Sequence, residues 1–230
     1  MTTYTIGDIH GRIEALKEVL ALSKFNYDED TLIVLGDVVD GGYNTYEVVE
    51  ELLKIKHLIF VIGNHDIWFM NHIQSGWAGE IWLKQGGRNT LRSYNPHFPL
   101  SKEHQEFFNK AVPYHIQDNM LFVHGGFDAR HGKTVEECSI EFITWDRDLI
   151  EYAKEGNNIP GYHKVFVGHT TTQSYSYECI PIQFSNLTMM DCGAGWTGRL
   201  AIMNIYNGKY WVSKEQEPAI KFIYKKLGGN

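Results

Sequence analysis

The sequence predicts an α/β protein that opens with a βαβαβ unit, on three observations. Short apolar, β-branched runs alternate with stretches whose apolar residues recur at helical spacing through the first third of the chain. Each run ends in a glycine followed by polar residues: Gly7-Asp8-Ile9-His10-Gly11, Gly36-Asp37-Val38-Val39-Asp40 and Gly63-Asn64-His65-Asp66. The spacing is regular, with 29 residues from Gly7 to Gly36 and 27 from Gly36 to Gly63. Each interval fits one βαβ step of roughly 30 residues.

Thr3–Ile6 is the first predicted strand, and Ile13, Leu16, Val19 and Leu20 mark the helix that follows. Thr31–Leu35 is continuously apolar, as expected of a strand covered on both faces. Val48, Val49, Leu52, Leu53 and Ile55 mark the second helix, and Leu58–Ile62 the third strand. Residues 68–110 read as a helical insertion or cap that packs its aromatics, among them Trp68, Phe69, Trp77, Trp82, Phe107 and Phe108. Ser101 is the expected N-cap of its last helix. The second half is richer in strands. Tyr114–Gln117 and Met120–Val123 flank a turn at Asp118-Asn119, as in a hairpin. A helix around Trp145–Tyr152 precedes strands at Lys164–Val167, Leu187–Met190, Leu200–Tyr206 and Tyr210–Ser213. A terminal helix is expected from Ala219.

With 230 residues and no linker, repeat or composition shift, residues 1–230 are expected to form one domain. Hydrophobic residues at 43% and charged residues at 21% exclude a disordered chain. A net charge of −7 argues against a nucleic-acid surface or an anionic membrane as partner. No run of 18 apolar residues is present, so no membrane span is expected. Cys138, Cys179 and Cys192 are odd in number and widely spaced, which fits neither a disulfide framework nor a zinc knuckle. With no leader-like start, a cytoplasmic location is the expectation.

The chemistry lies in the loops. Beyond the first three, His124-Gly125-Gly126 and Gly168-His169 also follow strand-like runs. A single Asp or His after a strand is ordinarily a helix cap or a turn former. Five such loops at one sheet edge are not explained that way, and that edge is where ligands bind in open α/β sheets. Carboxylates, an amide and imidazoles together form a mixed oxygen and nitrogen donor set. That set suits manganese, iron or zinc better than calcium or magnesium. Gly193-Ala194-Gly195-Trp196-Thr197-Gly198 matches G-x-G-x-x-G in letters, but a strand follows it where a dinucleotide loop would open a helix. It reads as a strand-to-strand connection near the same edge.

These five motifs, in order over residues 7 to about 195, resemble the signature of the calcineurin-like metallophosphoesterases. In detail they are similar to the phosphoprotein phosphatase family and its bacterial and phage-type members. The resemblance implies a β-sandwich flanked by helices, with two divalent metal ions at the sheet edge, manganese favoured over iron or zinc. It implies that Asp8 and His10 hold the first metal, that Asp37 bridges both, and that Asn64, His124 and His169 hold the second. His65 would protonate the leaving oxygen, with Asp40 holding it as imidazolium, and a metal-bridging hydroxide would attack.

The implied function is hydrolysis of phosphate monoesters, as in serine/threonine phosphatases, on a phosphoprotein or a small phosphoester. The alternatives are a dinucleoside polyphosphate hydrolase, a phosphodiesterase on the same scaffold and, less favoured, a non-catalytic binding module. Family members carry phosphate-gripping arginines where this chain has Gly41 and Ile62. Arg147, in Thr144-Trp145-Asp146-Arg147, is the remaining candidate for phosphate binding, and Gly41 is expected to leave room beside the metals.

Overall fold

In the computed structural model, residues 1–214 are described. Two five-stranded sheets face each other. The first is built from β1 (Thr3–Ile6), β2 (Thr31–Val34) and β3 (His57–Phe60), with β9 (Ala201–Asn204) and β10 (Tyr210–Val212) beyond β1. β1 pairs in parallel with β2, and β2 with β3, as helical crossovers require, whereas β9 runs antiparallel to β1. The second sheet runs β4 (Tyr114–Gln117), β5 (Met120–Val123), β6 (Lys164–Val167), β8 (Leu187–Met189), β7 (Ile182–Phe184). Its β4–β5 hairpin turns on Asp118 and Asn119, both at positive φ.

The strand composition decides the layering. β1, β2 and β5 are buried at every position, so both faces of each sheet are covered. Ile33, Leu35, Phe122, Phe166, Met190 and Cys192 fill the space between the sheets. α1 (Ile13–Ser23) and α2 (Thr45–Leu52) bury their apolar stripes against the outer face of the first sheet. α3 (Asn64–Ser75) begins directly after β3; α4 (Glu80–Trp82) follows and runs through a kinked π-turn at Leu83–Gly87 into α5 (Arg88–Tyr94). α6 (Lys102–Asn109) is capped by Ser101, whose hydroxyl accepts from His104 N at 3.2 Å. α7 (Ile140–Trp145) and α8 (Asp148–Lys154) lie on the second sheet's side, where Leu149, Ile150 and Ala153 join its core. The expected helix-flanked β-sandwich is the observed architecture.

Several expectations are corrected. The third strand ends at Phe60: Val61 N still donates to Val34 O of β2, but Ile62 N turns away to Val112 O, outside the named strands. The helix expected over Trp145–Tyr152 is two helices. Asp146 is extended, and its carboxylate caps α8 by accepting from the N–H groups of Asp148 and Leu149. β7, a three-residue edge strand, was not expected. Trp77 does not pack inside; it is 72% exposed. The helix expected from Ala219 lies outside the described residues. No helix among the described residues is long and apolar enough to cross a membrane.

Candidate metal centre

The five motif loops converge because their strands are adjacent and parallel: β1–β2–β3 in one sheet and β5–β6 in the other, with the C-terminal edges on one side. The loops are interlocked. The amides of Ile9 and His10 donate to the Asp37 carbonyl, and Gly42 N donates to the His10 carbonyl at 2.7 Å. Four expected site residues sit in left-handed backbone: His10 (φ 49°), Asp37 (φ 50°), Asp40 (φ 69°) and His169 (φ 59°). Such a conformation costs a non-glycine residue of order 1–3 kcal/mol and persists only where the surroundings impose it. Close packing also explains two of the motif glycines. A Cβ added at Gly63 would fall on the Asp37 carboxylate, and one at Gly168 on that of Asp8.

All six expected ligand residues are brought together. Asp8, His10 and Asp37 have donor atoms within 4.8 Å of one another, and so do Asp37, His124 and His169. Asp37 belongs to both groups. Asn64, in the first turn of α3, completes the second: its Oδ1 lies 3.1 Å from His124 Nε2. Asp8, Asp37, Asn64 and His124 are buried.

The imidazoles are oriented by carbonyls. His10 Nδ1 donates to Val39 O at 2.9 Å and His124 Nδ1 to Leu35 O at 2.6 Å. Each proton placed there turns Nε2 toward the carboxylates: His10 Nε2 lies 3.9 Å from Asp8 and 3.8 Å from Asp37, and His124 Nε2 lies 3.3 Å from Asp37. This is the arrangement that fixes the tautomer of a metal-binding histidine.

The electrostatics call for cations. Burial, then the charge of Asp191, holds the Asp8 carboxyl well above the usual range. Burial and then Asp37 push Asp66 up to about 7, although its carboxylate accepts from the N–H groups of Asp37, Val38 and Gly63. Burial disfavours charge on His124, yet Asp37 beside it wins and raises it to about 10. A proton there stands where a metal's charge would. Burial followed by repulsion from His124 and Arg147 lowers His169 to about 3, so its ring is neutral. His169 Nε2 is a buried atom without a hydrogen-bond partner among the described residues. An orphaned imidazole nitrogen beside carboxylates costs about 1–3 kcal/mol unless something ligates it. The residues therefore fit the metals that the sequence implies.

On one flank, His65 Nδ1 donates to Asp40 Oδ2 at 2.6 Å. The residues from α4 and α5 that hold Asp40 were not legible in the sequence. Trp82 Nε1 donates to Asp40 Oδ2 at 2.8 Å, and Thr90 Oγ1 to Asp40 Oδ1 at 2.7 Å while accepting from Asp40 N at 2.8 Å. Burial opposes charge on His65; Asp37 and Asp40 outweigh it and raise its pKa. On the other flank, the Arg147 guanidinium donates to Thr170 Oγ1 at 2.7 Å and to the His169 carbonyl at 3.3 Å, so it stands at the rim.

Two readings change. The space expected at Gly41 is absent: a Cβ there would lie 3.1 Å from His10 Cβ and 3.3 Å from Gly195 Cα, on a backbone with φ +67°. An arginine at 41 would be strained before it reached a phosphate. Asp191, outside the five motifs, is also a buried carboxylate at this edge; burial pushes it up to about 6, and it accepts from Gly193 N at 2.8 Å. Its signal was only its place after a strand-like run. The 193–198 segment is the strand-to-strand connection expected, tied to the site by Arg12 Nε donating to Ala194 O at 2.9 Å.

Comparison with known proteins places the chain in a family. The model of the calcineurin-like phosphoesterases matches residues 1–194, and the chain belongs to that family. A symmetrical bis(5'-nucleosyl)-tetraphosphatase of Hamiltonella defensa is 28% identical over 178 residues, 76% of this chain and 58% of that protein. One of Pseudomonas putida is 37% identical over 93 residues, 40% of this chain and 30% of that protein. The chain thus spans less than two thirds of the length of these curated relatives. A crystal structure of a proposed diadenosine tetraphosphatase superposes with a TM-score of 0.70 at 17% identity, covering 94% of each chain.

Proposed function

We propose that this chain hydrolyses the phosphoanhydride chain of dinucleoside polyphosphates, using two divalent metal ions, with manganese the best fit to the donors. This replaces the serine/threonine phosphatase reading as the favoured one, because the relatives above bear the tetraphosphatase name. The observation that carries the chemistry is the pair of three-residue donor groups sharing Asp37, with His65 alongside.

Asp8 and His10 would hold one ion, Asn64, His124 and His169 the other, and Asp37 both. Two divalent ions so held supply charge against the phosphate oxygens and make water acidic enough to act near neutral pH. The chain's own residues do the rest. Asp66, through the amides of Asp37 and Val38, fixes the loop that presents the shared carboxylate. Arg147 at the rim meets a phosphate oxygen with charge-assisted hydrogen bonds. His65 holds a proton for the departing oxygen, and Asp40 keeps its ring in place and favours its charged form. In symmetrical cleavage of diadenosine tetraphosphate, water adds to one central phosphorus and the bond to the bridging oxygen breaks. The products are two molecules of ADP.

The test is chromatography of products from the manganese-loaded protein given diadenosine tetraphosphate, an aryl monoester, an aryl diester and a phosphopeptide. ADP as the sole nucleotide product, at the highest kcat/KM of the panel, is expected. ATP with AMP, or a preference for the phosphopeptide, would overturn the reading.

A further inference from the structure

The rim beside His65 is aromatic, and the half-buried Trp68 there also packs against the core of the first sheet. Trp68, on the turn of α3 after His65, places its ring 4.9 Å from the His65 ring. Trp145, the last residue of α7, lies 5.3 Å from Trp68 and 5.6 Å from His169. The two indoles thus form a wall from the imidazole that meets the leaving group round to the imidazole below Arg147. Trp68 is half-buried, and Trp145 is 41% exposed. Their ring contacts are tilted by 64° to 82°, and no ring among the described residues lies parallel to either indole.

We propose that this wall is the nucleobase subsite, with Trp145 stacking on the purine of the departing nucleoside diphosphate. The inference rests on the dinucleoside polyphosphate reading and names the residues that select for it. Position supports it. In a nucleoside diphosphate, two phosphates and a ribose separate the leaving oxygen from the base, so the outer indole meets the base while Trp68 lines the approach. Arg147, two residues after Trp145, turns back to Thr170 and brings a cation to the same edge. Charge recognition is otherwise thin. The chain is net −7, and Gly41 and Ile62, beside the motif loops, supply no cation. Stacking is insensitive to net charge and contributes substantially per base, roughly 5- to 100-fold in affinity.

The experiment is calorimetry of ADP and of inorganic pyrophosphate binding to the manganese-loaded protein, as wild type, Trp145→Ala, Trp145→Phe and Trp68→Leu. Wild type should bind ADP roughly 5- to 100-fold tighter than pyrophosphate. Trp145→Ala should shrink that ratio to about 3-fold or less, Trp145→Phe should keep most of it, and Trp68→Leu should fall between. In turnover, Trp145→Ala should raise KM for diadenosine tetraphosphate more than for inorganic tripolyphosphate. Equal dissociation constants for ADP and pyrophosphate in wild type would overturn the subsite, as would an ADP advantage that survives in both Trp145→Ala and Trp68→Leu. The two proposals fail separately. An ADP advantage lost in Trp145→Ala, in a protein that cleaves no dinucleoside tetraphosphate, keeps the subsite and removes the proposed reaction. Tetraphosphate cleavage with unaltered KM in both tryptophan variants keeps the reaction and removes the subsite. Should Trp145→Ala unfold, Trp145→Phe against Trp145→Leu gives the same comparison at conserved bulk.

Discussion

The two flanks of the metal centre are built differently. On the Asp40–His65 flank, Asp40 is fully buried and its carboxylate accepts from His65, Trp82 and Thr90. On the Arg147–His169 flank, an exposed guanidinium rests on one hydroxyl and one carbonyl, and an imidazole nitrogen has no partner among the described residues. A proton donor works at one fixed distance, so its flank is locked by packing and hydrogen bonds. A flank that must admit ligands keeps its polar groups available. On the proposed function, the rigid flank is the one that would move a proton and the open flank the one that would admit metal and substrate.

Substitutions should expose that difference, beginning with the residue both flanks share. Asp37→Asn is expected to lower metal content and turnover together, with activity falling on the order of 10³-fold or more, the upper end for one electrostatic group. Elemental analysis alongside kcat checks it, and full metal occupancy in an active variant would contradict a shared ligand.

His65→Asn attacks the locked flank alone. It should keep its metals and lose roughly 10²- to 10⁴-fold in kcat for an alkyl phosphate, whose leaving oxygen needs a proton. The loss should be smaller for diadenosine tetraphosphate, whose leaving phosphate is a weak base. Equal losses on both substrates would remove the acid role.

Thr90→Val and Arg147→Ala set the flanks against each other. Thr90→Val leaves the buried Asp40 N–H without its partner and Asp40 Oδ1 with only the longer hydrogen bond from Trp82 Nε1 at 3.1 Å, which should cost about 1–3 kcal/mol of stability and lower Tm. Arg147→Ala should leave Tm within about a degree, because surface changes seldom exceed ±0.5 kcal/mol, while raising KM for phosphates roughly 10-fold. A destabilised Arg147→Ala with unchanged KM would make that arginine structural.

The metal-free protein should also show a pH dependence. His124 is raised to about 10 in the fold, against about 6.5 when unfolded. A raised folded pKa means that the native state holds the extra proton. Stability from this group is therefore complete below about 6.5 and lost as pH rises toward 10. Chelator-treated protein should show Tm falling from pH 7 to pH 10. Manganese-loaded protein should fall less, since metal would replace that proton. Identical slopes would mean that His124 is not a ligand.

How much of this was legible in the sequence differs between the same two flanks. The loop motifs announced Asp8, His10, Asp37, Asn64, His65, His124 and His169, because each lies directly after a strand whose apolar run is visible and beside a small residue that permits close packing. Strand adjacency then brought them together, since parallel βαβ pairing leaves little freedom in where the C-terminal ends lie. Periodicity could not show that Trp82 and Thr90, 42 and 50 residues beyond Asp40, would hydrogen-bond to its carboxylate. In the sequence both looked like ordinary residues of a helical segment. Asp191 was likewise silent: a lone carboxylate after a strand is a turn former until neighbouring strands bury it beside Asp8.

By itself, then, the sequence determined the α/β order, the strand-end loops and the donor types they carry, because those follow from local periodicity and from residues at fixed offsets. The tertiary structure alone decided which carboxylates are buried together, which histidine nitrogens face them, that Gly41 has no space beside His10, and that two tryptophans on different helices meet at the rim. Those outcomes depend on contacts between residues far apart in the chain. The free energy of such contacts, through desolvation, charge pairing and packing, is fixed only once the two sheets have closed on each other.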